Sequence, residues 1–223
     1  MNQFLYLKIN TMQINYFQDD IPSSLDLKGD LAIDTETMGL NIRRDRLCLI
    51  QFTTGNGQVH LVHFNNNYSA PNLKALLLNE DTTKIFHFAR FDLGVIRHYL
   101  GLRLNNIFCT KIASKLSRTY TDSHGLKDLC KSLLGETISK QQQSSDWGRN
   151  VLSIEQRHYA ASDVIHLHQL REELTTMLIR EDKLHLAKES FEFLKTRVDL
   201  DLLGWQDNDI FAHTERRRDL IVY

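Results

Sequence analysis

The chain has 223 residues, 42% of them apolar and 25% charged, the composition of a globular protein large enough to bury a core and short for two full domains. Lys and Arg number 27 against 28 Asp and Glu, a formal net charge of −1, so the basic excess that marks many nucleic-acid binders is absent. Three well-separated cysteines, Cys48, Cys109 and Cys130, exclude a disulfide framework and read as reduced core thiols of a cytoplasmic protein, and no apolar run approaches the ~20 residues of a membrane span. Residues 1–11 carry no interpretable pattern and lack the basic flank and cleavage site of a signal peptide.

In chain order, Leu31-Ala32-Ile33 is a short apolar strand that ends in charge. Leu47 to Phe52 and Gln58 to Phe64 are two more strands, joined by Thr54-Gly55-Asn56-Gly57, a sequence that accepts the positive φ angles of a tight turn. Lys84 to Ala89 predicts a fourth strand, followed by apolar residues at helical spacing (Phe91, Val95, Ile96, Tyr99, Leu100) up to Gly101. Ile107-Phe108-Cys109 predicts a fifth strand. Beyond it the period is 3.6: Leu126, Leu129, Cys130, Leu133 and Leu134 make one stripe that stops at Gly135. Ser153 with Gln156 matches a capping box at the start of a long helix that runs through Leu174. Strands first and helices later predict a layered α/β domain. Residues 1–19 read as an N-terminal extension, 20–180 as the domain, and 181–223 as a helical extension packed on it. The run Arg216-Arg217-Arg218 reads as a solvated tail or a nucleic-acid contact.

Asp34 and Glu36 follow the first strand, and alternation points residues i and i+2 to one side. Two carboxylates side by side are either a solvated surface pair or half of a divalent-metal site. Asp92 sits in the first turn of a helix, where the backbone dipole favours an acid whether or not it has another task. His87 is a ligand or a core histidine. Tyr159 and Asp163 are four residues apart on the capped helix and share a face.

Taken together, Asp34-Thr35-Glu36-Thr37-Met38-Gly39-Leu40 after a first strand, His87-Phe88-Ala89-Arg90-Phe91-Asp92 after a later one, and Tyr159-Ala160-Ala161-Ser162-Asp163 on a late helix resemble the three motifs of the DEDD exonuclease superfamily. They are most similar to its tyrosine-bearing (DEDDy) branch and to the ribonuclease D family. Leu126-Lys127-Asp128-Leu129, Ser145-Asp146-Trp147 and Leu152 to Gln156 add to the resemblance, which covers most of residues 20–180. The resemblance implies an RNase H-like fold, a mixed five-stranded sheet flanked by helices. It also implies 3′→5′ hydrolysis of RNA from single-stranded 3′ ends. Residues beyond 180 are too few for the helical HRDC domains that ribonuclease D carries after its catalytic domain.

The resemblance further implies two divalent cations, Mg²⁺ or Mn²⁺, held by Asp34, Glu36, Asp92 and Asp163, since converging carboxylates need compensating positive charge and oxygen ligands favour hard ions. Asp34 is the expected bridging ligand. Glu36 and Asp163 are expected at the metal that activates water, Asp92 at the second metal, and Tyr159 beside the attacking water. Leu40, His87, Phe91, Lys140 and Arg149 are the expected substrate contacts. His158 also stands five residues before Asp163, the histidine spacing of the sister branch. Five helical steps turn it about 140° away from Asp163, however, so the tyrosine is preferred. Two other readings stand beside this one, a DNA exonuclease of the same superfamily and a non-catalytic nucleic-acid-binding domain.

Overall fold

A computed structural model describes residues 12–138, 142 and 144–213. Among them a six-stranded mixed sheet has the order β1-β4-β3-β2-β5-β6, with β1 at Gln13–Gln18, β2 at Leu31–Thr37, β3 at Leu47–Thr53, β4 at Gln58–His63, β5 at Lys84–Phe86 and β6 at Ile107–Cys109. β2, β3 and β4 form the antiparallel meander expected from the Gly-Asn-Gly turn. β5 and β6 join β2 in parallel, which requires a crossover, and helix α2 (Ala89–Leu100) supplies the one between them. All seven residues of β3 are buried, as befits a strand covered on both faces.

The sheet holds one strand more than the sequence reading gave it. β1 lies in the segment read as an N-terminal extension, pairs in parallel with β4 from Gln13↔Gln58 to Gln18↔His63, and closes one edge. Its residues are half-buried, so the apolar alternation is weak in the sequence. A short helix, α1 (Pro71–Leu78), precedes β5, and α3 (Thr110–Ser117) follows β6 directly. α4 (Leu126–Leu129) runs on into a π-helical turn that ends at Gly135, whose φ of 70° is the left-handed stop expected there.

The long helix expected after Ser153 is two helices, α5 (Ile154–Val164) and α6 (Leu167–Arg180). The capping box is present: the Ser153 side chain accepts from the backbone N–H of Gln156, and the Gln156 side chain accepts from that of Ser153. Gln156 also donates to Ser145 Oγ at 2.6 Å and to the Asp146 carbonyl at 3.0 Å, tying the Ser145-Asp146-Trp147 loop to the start of α5. α7 (Leu184–Leu200) packs on α2 and α3 and leads into a turn at Asp201–Trp205. Asp201 anchors that turn by accepting from Arg90 at 2.6 and 2.9 Å and from Arg197 at 2.9 Å. Cys48, Cys109 and Cys130 are free and buried, and burial pushes the Cys48 thiol up to about 11 and Cys130 to about 12. No helix among the described residues is long and apolar enough to cross a membrane.

Candidate active site

β2 lies inside the sheet, between β3 and β5, and its last residues leave the core: Leu31, Ala32 and Ile33 are buried, while Asp34 and Glu36 are half-buried. The register against β3 shifts at Glu36/Thr37, a bulge that ends regular pairing beside the acids. α5 crosses β2, β3 and β4 and brings Asp163 to them. One carboxylate oxygen each from Asp34, Glu36 and Asp163 lies within 4.8 Å of the other two. Ligand oxygens about 2.1 Å from a Mg²⁺ ion stand at most ~4.2 Å apart across an octahedron, so slight side-chain movement suffices for these three to share a cation. The set is all oxygen, the chemistry that suits hard divalent ions.

Asp92 stands apart from that trio. It is 3% exposed, in the first turn of α2, and its Oδ1 accepts from Thr35 Oγ1 at 2.7 Å. It still belongs to the same electrostatic unit. Burial raises the pKa of all four acids. Asp34 reaches about 7 against the opposing backbone N–H of Thr35. Glu36 is raised well above the usual range by burial and then by Asp34, Asp163 and Asp92. Asp92 and Asp163 are raised by burial and then by Asp34, against hydrogen bonds from Thr35 and Tyr159 respectively. Asp34 is thus electrostatically coupled to each of the other three.

This arrangement sets the response to pH. Carboxyls of the unfolded chain titrate near 4, so above that pH the metal-free folded protein holds protons that the unfolded chain has lost. The four acids therefore cost the metal-free fold stability as pH rises from about 4 through about 7. A cation that binds the ionised forms offsets the cost. The rise in melting temperature on adding Mg²⁺ is expected to be larger at about pH 8 than at about pH 5. Equal rises at both would remove these acids from cation binding.

Tyr159, half-buried on α5, carries its hydroxyl beside Asp163. Burial and the nearby Asp163, Glu36 and Asp34 push its pKa far up, so it is a neutral phenol that donates. Its ring lies 6.1 Å from that of Trp147, which is 2% exposed on the loop held by Gln156. α5 begins at Ser153 as expected, so His158 lies on a continuous helix, where its influence falls on Glu155.

Leu40 and Phe91 line a cleft of about 670 Å³ with Phe88, Arg90, Asp201 and Leu202. Leu40 is 87% exposed in this cleft, whose lining reaches Phe91, the residue before Asp92, but none of the four acids themselves. Leu40 is carried by a turn that Asp45 braces: Asp45 accepts from the Asn41 N–H and from Arg44, which hold its carboxyl down at about 2. Gly39 is required there because an added Cβ would stand 2.4 Å from Asp45 Oδ2. Phe88 is exposed in a left-handed conformation (φ 66°), with the Lys111 ammonium 4.3 Å from its ring centroid.

His87 is not one of the clustered groups. The Thr110 hydroxyl donates to the Phe86 carbonyl and so accepts from His87 Nδ1 at 2.9 Å. Burial, with help from Lys111, pushes this imidazole down to about 3. Arg149 is exposed on the turn after Trp147, and Lys140 lies outside the described residues, as do Arg216, Arg217 and Arg218.

Two polar side chains of the site escape sequence reasoning. Thr35 occupies the unspecified middle position of the D-x-E pair and holds Asp92. Gln51, on β3 opposite Asp34, donates to Asp34 Oδ2 at 2.5 Å. Its one signal is an amide inside the apolar run Leu47–Phe52.

Residues 11–179 match the 3′-5′ exonuclease domain family DNA_pol_A_exo1. Curated relatives include DNA polymerase I of Aquifex aeolicus, 36% identical over 170 residues (75% of this chain, 27% of that protein). Another is ribonuclease D of Gluconacetobacter diazotrophicus, 32% identical over 154 residues (69% of this chain, 39% of that protein). The chain spans half or less of the length of these curated relatives. Among solved structures, Brucella melitensis NrnC bound to pGG is 50% identical, with a TM-score of 0.87 over 91% of this chain and 100% of that one. The same protein has been solved with bound Mg²⁺, at 49% identity. Escherichia coli ribonuclease D shares the fold at 22% identity and a TM-score of 0.68, over 92% of this chain and 50% of that one. The acids and tyrosine ride on an RNase H-like sheet and the match runs from residue 11 to 179, so the chain belongs to the 3′-5′ exonuclease family of the DEDD superfamily.

Proposed function

We propose that this chain is a metal-dependent 3′→5′ exoribonuclease of ribonuclease D type, acting in the cytoplasm on single-stranded 3′ ends of RNA, short 5′-phosphorylated oligoribonucleotides among them. The observation that carries the proposal is the convergence of Asp34, Glu36 and Asp163 within 4.8 Å, with the Tyr159 hydroxyl beside Asp163. The ribonuclease D relatives support RNA, and the relative bound to pGG supports short substrates. Residues 20–180 with β1 supply the chemistry, and the segment after 181 borders the substrate cleft through Asp201 and Leu202.

In this reading Asp34, Glu36, Asp92 and Asp163 would hold two cations, Mg²⁺ or Mn²⁺, with Asp34, clustered with Glu36 and Asp163, as a ligand common to both. The cations supply Lewis acidity toward water and toward the departing 3′ oxygen. Tyr159 keeps its proton and orients the attacking water by a hydrogen bond. Leu40 and Phe91 contact the terminal bases from the cleft walls, an apolar recognition that tolerates any base. Arg149 is exposed beside the Trp147 loop and suits a phosphate contact.

The match to the exonuclease part of a DNA polymerase favours DNA as a second reading. Matched RNA and DNA strands labelled at the 5′ or 3′ end and incubated with Mg²⁺ or Mn²⁺ decide between them. Ladders that shorten from the 3′ end, faster on RNA, are expected. Faster shortening of DNA selects the second reading, and intact strands of both kinds overturn the nuclease assignment for this chain.

A further inference from the structure

We propose that Gln51 is a positioning residue for the cation site: its amide fixes the Asp34 carboxylate in the orientation that lets one of its oxygens meet Glu36 and Asp163. The proposal rests on the metal reading above and adds to it a side chain that is not itself a ligand.

The geometry begins with register. Asp34 and Gln51 are directly opposed on antiparallel β2 and β3, so their side chains leave the sheet on the same face, about 5 Å apart at Cβ. The Gln51 Nε2–H donates to Asp34 Oδ2 at 2.5 Å. An ionised carboxylate only accepts, so the amide nitrogen is the end that faces it. Gln51 is 0% exposed on a strand whose seven residues are all buried, and its Oε1 has no hydrogen-bond partner among the described residues.

That orphaned oxygen carries the argument. A buried unpaired carbonyl is costly, and a methionine would fill the same space without it. On packing grounds alone, glutamine is therefore a poor choice for this position. The one thing it supplies that an apolar side chain cannot is the N–H aimed at Asp34. The orientation of Asp34 matters because one of its oxygens must lie with those of Glu36 and Asp163, all within 4.8 Å of one another. Carboxylate ligands of metal sites are commonly held by such hydrogen bonds, and losing one typically weakens metal binding by about 10–100-fold.

The test is Mn²⁺ binding by isothermal titration calorimetry to the full chain without RNA, in wild type, Gln51→Met and Gln51→Asn. Methionine removes the donor, and asparagine keeps the amide on a stem too short to reach. Both variants are expected to bind Mn²⁺ about 10–100-fold more weakly. At saturating Mn²⁺ the KM for labelled RNA is expected to stay at the wild-type value. The metal-free Gln51→Met protein is expected to melt no lower than wild type, since a buried orphan is gone. Wild-type Mn²⁺ affinity in either folded variant overturns the proposal. If Gln51→Met does not fold, Gln51→Asn carries the measurement. Absence of Mn²⁺ binding by the wild-type chain would instead overturn the metal reading, and this proposal with it.

Discussion

Asp34→Asn is expected to reduce Mg²⁺-dependent shortening of RNA by a thousandfold or more, about 4 kcal/mol of transition-state stabilisation, while raising the melting temperature of the metal-free protein. The two effects have one origin. Asp34 stands half-buried among three other acids and raises the pKa of each, so its charge costs the fold stability until a cation compensates it. Asparagine keeps the shape and removes the charge. Single-turnover kinetics and calorimetry with chelator present measure the two sides separately. Loss of activity with an unchanged or lowered melting temperature would show that the acids are compensated within the protein itself.

Tyr159→Phe is expected to slow hydrolysis by roughly 10²–10³-fold, the range for loss of one preorganised hydrogen-bond donor, while Mn²⁺ binding persists. The phenylalanine keeps the ring beside Trp147 and loses the hydroxyl that reaches Asp163. Because the Tyr159 pKa is pushed upward, the wild-type rate should show no alkaline limb from this group near neutral pH. His158→Ala is expected to leave the rate within a few-fold of wild type, since its neighbour is Glu155 rather than Asp163. The opposite ranking of the two variants would assign the protein to the histidine-bearing branch.

These two residues also show what the sequence makes legible. Helical and strand periodicity put Asp34 with Glu36 and Tyr159 with Asp163 on shared faces, because those pairs depend on local geometry alone. The cap at Ser153 likewise turns Tyr159, and not His158, toward the Asp163 face from a four-residue signature. Gln51 and Thr35 are invisible in the sequence because their meaning is non-local: Gln51 matters through its register with a strand seventeen residues away, and Thr35 through a helix reached only after three further strands. β1 was missed for a related reason. Its half-buried residues lie at a sheet edge, where burial, and hence apolar patterning, is weakest. The break between α5 and α6 left no Gly or Pro to announce it, so an unbroken helix was the natural reading of Ser153 to Leu174.

The placement of β2 has a consequence for how the protein loses activity. Edge segments such as β1 and β6 open in small fluctuations at little cost, whereas a strand flanked on both sides opens only with most of the sheet. Amide hydrogens of Leu31 and Ala32, where β2 has a paired strand beside it, therefore belong to the slowest-exchanging group in the molecule, and fraying at either edge leaves the strand that carries Asp34 and Glu36 in place. Heating or denaturant should accordingly abolish cleavage in the same cooperative step that melts the sheet, with no earlier inactive state in which the fold survives and the acids have drifted apart.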